Sequence, residues 1–229
     1  MGKEIIRKPI IMAMQLFENT NFLVVDKRAG FLSVPSRLRD QDSRPCEITE
    51  WSKNKQIRLW AIHRLDEEVS GVLLLARTPE AHRIANAWFE NRLVRKSYEA
   101  FTEPAEESFK PNEKLIWKSK LLRGKKRAYE KDFGKEAITE AVLLKKETGK
   151  SLWSLSPLTG RSHQLRFEMA KHGFPILGDE LYGSKSASVV SGAIALRAVE
   201  LDFSRCLERE RLGLPEKLTV TSLTDWWKE

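Results

Sequence analysis

Cysteine is almost missing from this chain: Cys46 and Cys206 are the only two in 229 residues, and they lie far apart. With no Cys-x-x-Cys pair there is neither a disulfide framework nor a thiol metal site, and both thiols are expected to be free in a reducing cytosol. Long apolar runs are missing too. None approaches the roughly 20 residues that span a bilayer, so no membrane association is expected. The stretch Ile10 to Met14, preceded by Pro9, is too short for a signal-peptide core, and Met-Gly-Lys-Glu-Ile-Ile lacks the Ser or Thr of a myristoylation signal. Neither an internal repeat nor a low-complexity segment is visible. These absences leave a soluble, cytoplasmic protein as the expectation.

What is present fits one sizeable core. Apolar residues make up 41% and charged residues 31%, ordinary for a globular chain, and the length suits a single domain. Forty Lys and Arg against 32 Asp and Glu give a net charge of +8, which favours a polyanionic partner such as nucleic acid.

Read in order, Met14 to Phe17 and Phe22 to Val25 are expected to form an edge hairpin. Residues 35 to 46 read as an exposed loop and Glu47 to Gln56 as a short helix. Thr78-Pro79 starts a helix whose residues Ala81, Ile84, Ala85 and Trp88 share one apolar face, with His82 off that stripe. Lys96 to Phe101 alternates as a strand with Lys96, Tyr98 and Ala100 on one face. Seven basic residues against one acid between Lys118 and Lys131, interleaved with Leu121, Leu122, Gly124 and Tyr129, predict a hairpin able to lie along phosphates. Glu136 to Lys146 pairs with Ser151 to Ser156. Leu158 to Gly173 is expected to be a helix with Arg161 and Leu165 on one face, Phe174 to Ser184 a loop, and Ala193 to Phe203 the last strand.

The stretch that organises this pattern is His63-Arg64-Leu65-Asp66-Glu67-Glu68-Val69-Ser70-Gly71 before the apolar run Val72 to Ala76. It reads as a tight polar connection between Ile57 to Ile62 and a strand buried on both faces, which gives Asp66 the fixed direction that a nucleophile or general base needs. On its own the stretch is equally compatible with a purely structural turn, since Asp, Ser and Gly are turn formers. A second constellation changes the balance: Gly160-Arg161-Ser162-His163-Gln164-Leu165-Arg166, then Gly173-Phe174-Pro175-Ile176-Leu177-Gly178-Asp179-Glu180-Leu181-Tyr182-Gly183.

Together these motifs closely resemble the RluA-type branch of the RluA/RsuA pseudouridine synthases, which usually carry His-Arg-Leu-Asp-x-x-Thr-Ser-Gly and Gly-Arg-Thr-His-Gln-Ile-Arg. Val24-Val25-Asp26-Lys27-x-Ala-Gly30, Lys96-x-Tyr98 and Gly134 to Thr139 resemble further family segments, so the likeness runs from about residue 16 to about 203. Val69 stands where Thr is usual and Arg28 where Pro is common, the family's Pro-rich ending is not recognisable after Phe203, and no S4-type module is visible.

The resemblance implies isomerisation of uridine to pseudouridine within RNA, without metal or cofactor. It makes Asp66 the catalytic acid, as nucleophile or base, with Arg161 as its ion partner. It has Tyr98 pack on the target base and help remove the C5 proton, and Leu165 form the apolar floor. His63, Arg64 and Lys96 are expected to bind substrate, and Lys125, Lys126 and Arg127 to hold the backbone of an RNA stem-loop in tRNA or rRNA. The expected fold is a single α/β (α+β) domain, monomeric, with a mixed, mostly antiparallel sheet, packed helices and a central basic cleft. A His63/His163 metal pair has no third ligand at recognisable spacing. Two rivals remain: a non-catalytic RNA-binding protein on the same scaffold, and a metal-dependent hydrolase using His63, Asp66 and His163.

Overall fold

The computed structural model describes residues 13–36, 42–107, 109–186, 188 and 190–227. The N-terminal apolar stretch before residue 13 and the middle of the loop at 35–46 lie outside them. The elements are β1 (Met14–Glu18), β2 (Phe22–Lys27), α1 (Glu47–Lys55), β3 (Trp60–Ala61), β4 (Ser70–Ala76), α2 (Pro79–Glu90), β5 (Arg95–Thr102), β6 (Lys114–Arg123), β7 (Ala128–Glu130), β8 (Lys135–Glu147), β9 (Lys150–Pro157), α3 (Gln164–Lys171), β10 (Leu196–Asp202), β11 (Lys217–Thr219) and α4 (Leu223–Trp226). The strands form a sheet in the order β1-β2-β4-β10-β5-β9-β8-β6-β7, with β3 pairing β4 and β11 pairing β10. Among these strands only β4 and β10 run parallel, so the sheet is mixed and mostly antiparallel, as expected.

Local chemistry accounts for most of these elements. The Thr78 hydroxyl accepts the Ala81 N–H at 3.2 Å, Pro79 opens the first turn, and α2 buries Ala81, Ile84, Ala85 and Trp88. Strand β4 is buried along its whole length, which is why it carries a continuous apolar run rather than alternation. The basic segment forms the expected hairpin, β6 to β7, closed by Gly124 N–H donating to the Arg127 carbonyl at 3.0 Å.

Three expectations fail. The helix predicted from 158 to 173 begins only at Gln164, because His163 takes the left-handed conformation at φ 52° and breaks the helical phase. Ala193 to Phe203 is not the last strand: β11 follows and pairs with β10. The strand expected over Ile57 to Ile62 shrinks to two residues.

The β4–β10 contact explains half of the first motif. Gly71 has φ +116°, and a β-carbon there would collide with the Ala198 backbone. Ser70 is buried beside it, its hydroxyl 3.1 Å from the buried Arg197 guanidinium. Gly71→Ala should therefore cost about 4 kcal/mol or more, or abolish folding. Urea denaturation checks this, and a loss below about 1 kcal/mol would mean the two strands can part there without penalty.

Candidate functional site

Asp66 sits in the short connection between β3 and β4, which is tied down on several sides. The Lys27 ammonium, buried at the end of β2, donates to the carbonyls of Arg28, Glu67 and Val69 at 2.8, 3.1 and 2.8 Å. Burial pulls its pKa down to about 8, against the raising influence of Glu47, Asp66, Glu68 and Glu67. Ser33 Oγ donates to the Leu65 carbonyl and accepts the Leu65 N–H, at 2.8 and 3.0 Å. Gly30 N–H and Ile194 N–H bond the carbonyls of Glu67 and Glu68. A loop with that many backbone anchors holds the Asp66 carboxylate in a fixed direction.

That carboxylate lies on a cleft of about 370 Å³ lined by Leu65, Val69, Tyr98, Leu165 and Leu196 on its apolar side and by His63, Arg64, Arg92, Lys96, Arg161 and Arg166 among its polar groups. The volume falls within the range of small-ligand sites. Val69, where the resemblance leads one to expect a threonine, is buried among apolar neighbours, and its backbone carbonyl is one of the three that Lys27 holds.

The cation beside Asp66 is Arg166, not Arg161. Arg166 Nη1 stands 3.7 Å from Asp66 Oδ2 and 3.1 Å from Glu68, while Nε and Nη2 form a bidentate pair with Asp179 at 2.7 and 2.8 Å. Burial opposes its charge, but the Asp179 hydrogen bonds outweigh it and the guanidinium is held more firmly protonated than usual. Its carbon also lies 5.4 Å from the centre of the Tyr182 ring. Arg161 precedes α3, donates from Nε to the Glu136 carbonyl at 2.8 Å and lines the cleft without pairing with Asp66. His163 Nε2 lies 4.0 Å from Asp66 Oδ2.

Gln164 builds the turn that displaces Arg161. Its side-chain oxygen accepts from Thr159 Oγ1 and from Arg161 N–H, at 2.7 and 3.0 Å, and its amide nitrogen donates to the Ile138 carbonyl and Thr139 Oγ1, both at 3.0 Å. All of its bonding capacity goes into anchoring residues 159–164 on β8, and Arg166 is then carried on the first turn of α3 toward Asp66.

The remaining predicted residues divide. Tyr98 and Leu165 both line the cleft, and burial, reinforced by Asp66, pushes the Tyr98 phenol above its ordinary pKa. It therefore stays protonated and presents a ring face and a donor. Lys96 donates to the Thr159 carbonyl at 3.2 Å, and burial followed by the Arg92 charge lowers its pKa to about 8. His63 has its Nε2 occupied by the Leu74 N–H at 3.0 Å and its ring stacked on Phe89 at 4.9 Å. Burial, with a smaller push from Lys96, takes it down to about 3, so it is neutral and acts as a packing group at neutral pH. Arg64 is exposed at the rim. Lys125, Lys126 and Arg127 are exposed at the tip of the β6–β7 hairpin. The tip end of that hairpin is linked to the site through Tyr182, whose hydroxyl accepts the Ala128 N–H at 2.7 Å and whose ring lies 5.8 Å from that of His163. Among the described residues no group of three or more His, Cys, Asp and Glu side chains is arranged to hold a metal ion.

Sequence reasoning missed Lys27, Gln164, Arg166, Asp179 and Tyr182 as site residues. A signal existed for one of them. The second motif contains two arginines, and the resemblance was carried onto the first.

A sequence model of the family described as RNA pseudouridylate synthase matches residues 21–171. The chain is similar to the ribosomal large subunit pseudouridine synthase D of Borreliella burgdorferi, 34% identical over 196 residues, covering 82% of this chain and 60% of that protein. It is also similar to the dual-specificity RNA pseudouridine synthase RluA of Vibrio parahaemolyticus, 35% identical over 198 residues, with 82% and 76% covered. In fold it is similar to the human RNA pseudouridylate synthase domain containing 4 (TM-score 0.66, 21% identity, 91% of this chain and 88% of that one). The human RNA pseudouridylate synthase domain containing 1 gives the same TM-score of 0.66 at 22% identity, with 93% and 92% covered.

Proposed function

The chain belongs to the RNA pseudouridylate synthase family, and we propose that it isomerises a uridine exposed in a tRNA or rRNA stem-loop, with Asp66 acting on the detaching nucleotide. The observation that carries this reading is the placement of Asp66: a carboxylate on a loop anchored from both sides, beside a buried guanidinium, at the wall of a cavity with an apolar floor. The isomerisation breaks C1′–N1, turns the uracil and forms C1′–C5. A proton leaves C5, N1 gains one, and no atom is added or lost. Such chemistry needs a directed carboxylate and a pocket that retains the freed base. Leu165, Val69 and Tyr98 offer that enclosure. A uridine stacked in a duplex cannot enter the cleft, so it must be extruded at a cost of a few kcal/mol, least where it is already unpaired.

The test is tritium release from RNA labelled at uridine C5, taken from cells lacking the protein, with pseudouridine mapped by mass spectrometry. Release that persists in EDTA, at discrete uridines, supports the proposal. RNA binding with no release would make the protein a non-catalytic binder.

The basic hairpin tip would supply affinity rather than sequence choice. Replacing Lys125, Lys126 and Arg127 together by Gln should flatten the dependence of log affinity on log salt by about 2, at roughly 0.7 per lost phosphate contact. A slope equal to that of the parent protein would show the tip to be a solvated loop.

A further inference from the structure

Helix α2 ends in a conformation that its sequence does not favour. Asn91 caps the helix, Arg92 N–H donates to the Phe89 carbonyl at 3.2 Å, and Leu93 N–H donates to the Trp88 carbonyl at 2.9 Å. Closing the helix this way puts Arg92 in the left-handed region, at φ 58°. That is the position after a helix where glycine is the usual occupant, because an L side chain there crowds its own backbone. An arginine held in a place that suits glycine needs a reason in its side chain.

The side chain lines the cleft, as does Lys96. The two charges are close enough for Arg92 to depress the lysine's protonation. No carboxylate is paired with them: among the described residues neither Arg92 nor Lys96 makes an ion pair, and Glu90, which lines the same cleft, is exposed and bonded to neither. Lys96 donates to the Thr159 carbonyl, which fixes its ammonium in the cleft lining rather than letting it swing into solvent. Two like charges pinned together beside a cavity repel each other until an anion joins them.

We propose that Arg92, with Lys96, forms a phosphate-binding site that grips the RNA backbone next to the nucleotide entering the cleft. This rests on the reading of the protein as an RNA-modifying enzyme and adds a specific contact to it. The hairpin tip at residues 125–127 is a separate set of cations. Arg92 and Lys96 would fix the strand at the point of entry, where a guanidinium fork matches two phosphate oxygens.

The experiment uses the full chain with Arg92→Gly, Arg92→Lys and Lys96→Met. Three quantities are read: melting temperature, tritium release from C5-labelled total RNA of cells lacking the protein, and the salt dependence of binding to that RNA. Arg92→Gly should melt at or above the parent temperature, because the backbone is relieved. Its kcat/KM should nevertheless fall about tenfold, mainly through KM, with the salt slope smaller by about 0.7. Lys96→Met should lower affinity and salt slope in the same way, and Arg92→Lys should restore most of the slope. An Arg92→Gly protein with parental KM and salt slope overturns the proposal, as does a loss of kcat with no change in KM. If the parent protein itself releases no tritium, the enzymatic reading fails instead, and the salt slopes still decide whether Arg92 contacts phosphate.

Discussion

Asp66→Asn should reduce pseudouridine formation by at least about 10⁴-fold while RNA affinity stays within a few-fold. The substitution is nearly isosteric, so the anchors supplied by Lys27, Ser33, Gly30 and Ile194, all of which bind backbone atoms or Leu65, remain in place. What disappears is the negative charge at the cavity wall and the ability to attack or to accept a proton. Binding depends on cations at the rim and on the hairpin, none of which uses Asp66 as a hydrogen-bond partner. Tritium release measures the first quantity and filter binding the second. Turnover within tenfold of the parent would remove Asp66 from the chemistry and with it the proposed mechanism.

Arg166→Met should have the next largest consequences, on stability and turnover together. Removing the guanidinium leaves the Asp179 carboxylate buried at 1% exposure without its bidentate partner, a situation that typically costs 3–5 kcal/mol, or roughly that here. It also removes the cation 3.7 Å from Asp66. The two losses can be separated. Replacing both members of the pair, Arg166→Met with Asp179→Leu, takes away the stranded charge and should recover most of the unfolding free energy in urea. Turnover should stay low, because Asp66 still lacks its neighbour. A double variant that regains turnover along with stability would show that Arg166 only packs the site.

How far these arguments were visible in the sequence depends on the range over which each interaction is decided. Helix α2 was legible because its cap, its proline and its apolar stripe all lie within a dozen residues. The β6–β7 hairpin was legible for the same reason, and Asp66, Tyr98 and Leu165 were placed on one cavity through the motifs that carry them. The ion partner of Asp66 was not. It depends on a single left-handed residue, His163, favoured by the non-local bonds that Gln164 makes to β8, whereas the motif resemblance was carried onto Arg161. Lys27 escaped for a related reason. Its role is to hold carbonyls some 40 residues away, and nothing around Lys27 announces that its ammonium is turned inward. His63, expected at the substrate, lines the cleft with its Nε2 accepting the Leu74 amide, a bond from the loop after β3 to β4 with no short-range signature.

The parallel pairing of β4 with β10, Ser70 and Gly71 against Arg197 and Ala198, has a consequence for how the enzyme is made. Asp66 is translated early, yet the strand that braces the end of its loop emerges from the ribosome more than a hundred residues later. A nascent chain halted before Leu196 would carry Asp66 and both motif arginines and still lack the neighbour against which Gly71 closes. The brace on the Asp66 loop therefore forms late in synthesis, when the C-terminal part of the chain slots between β4 and β5.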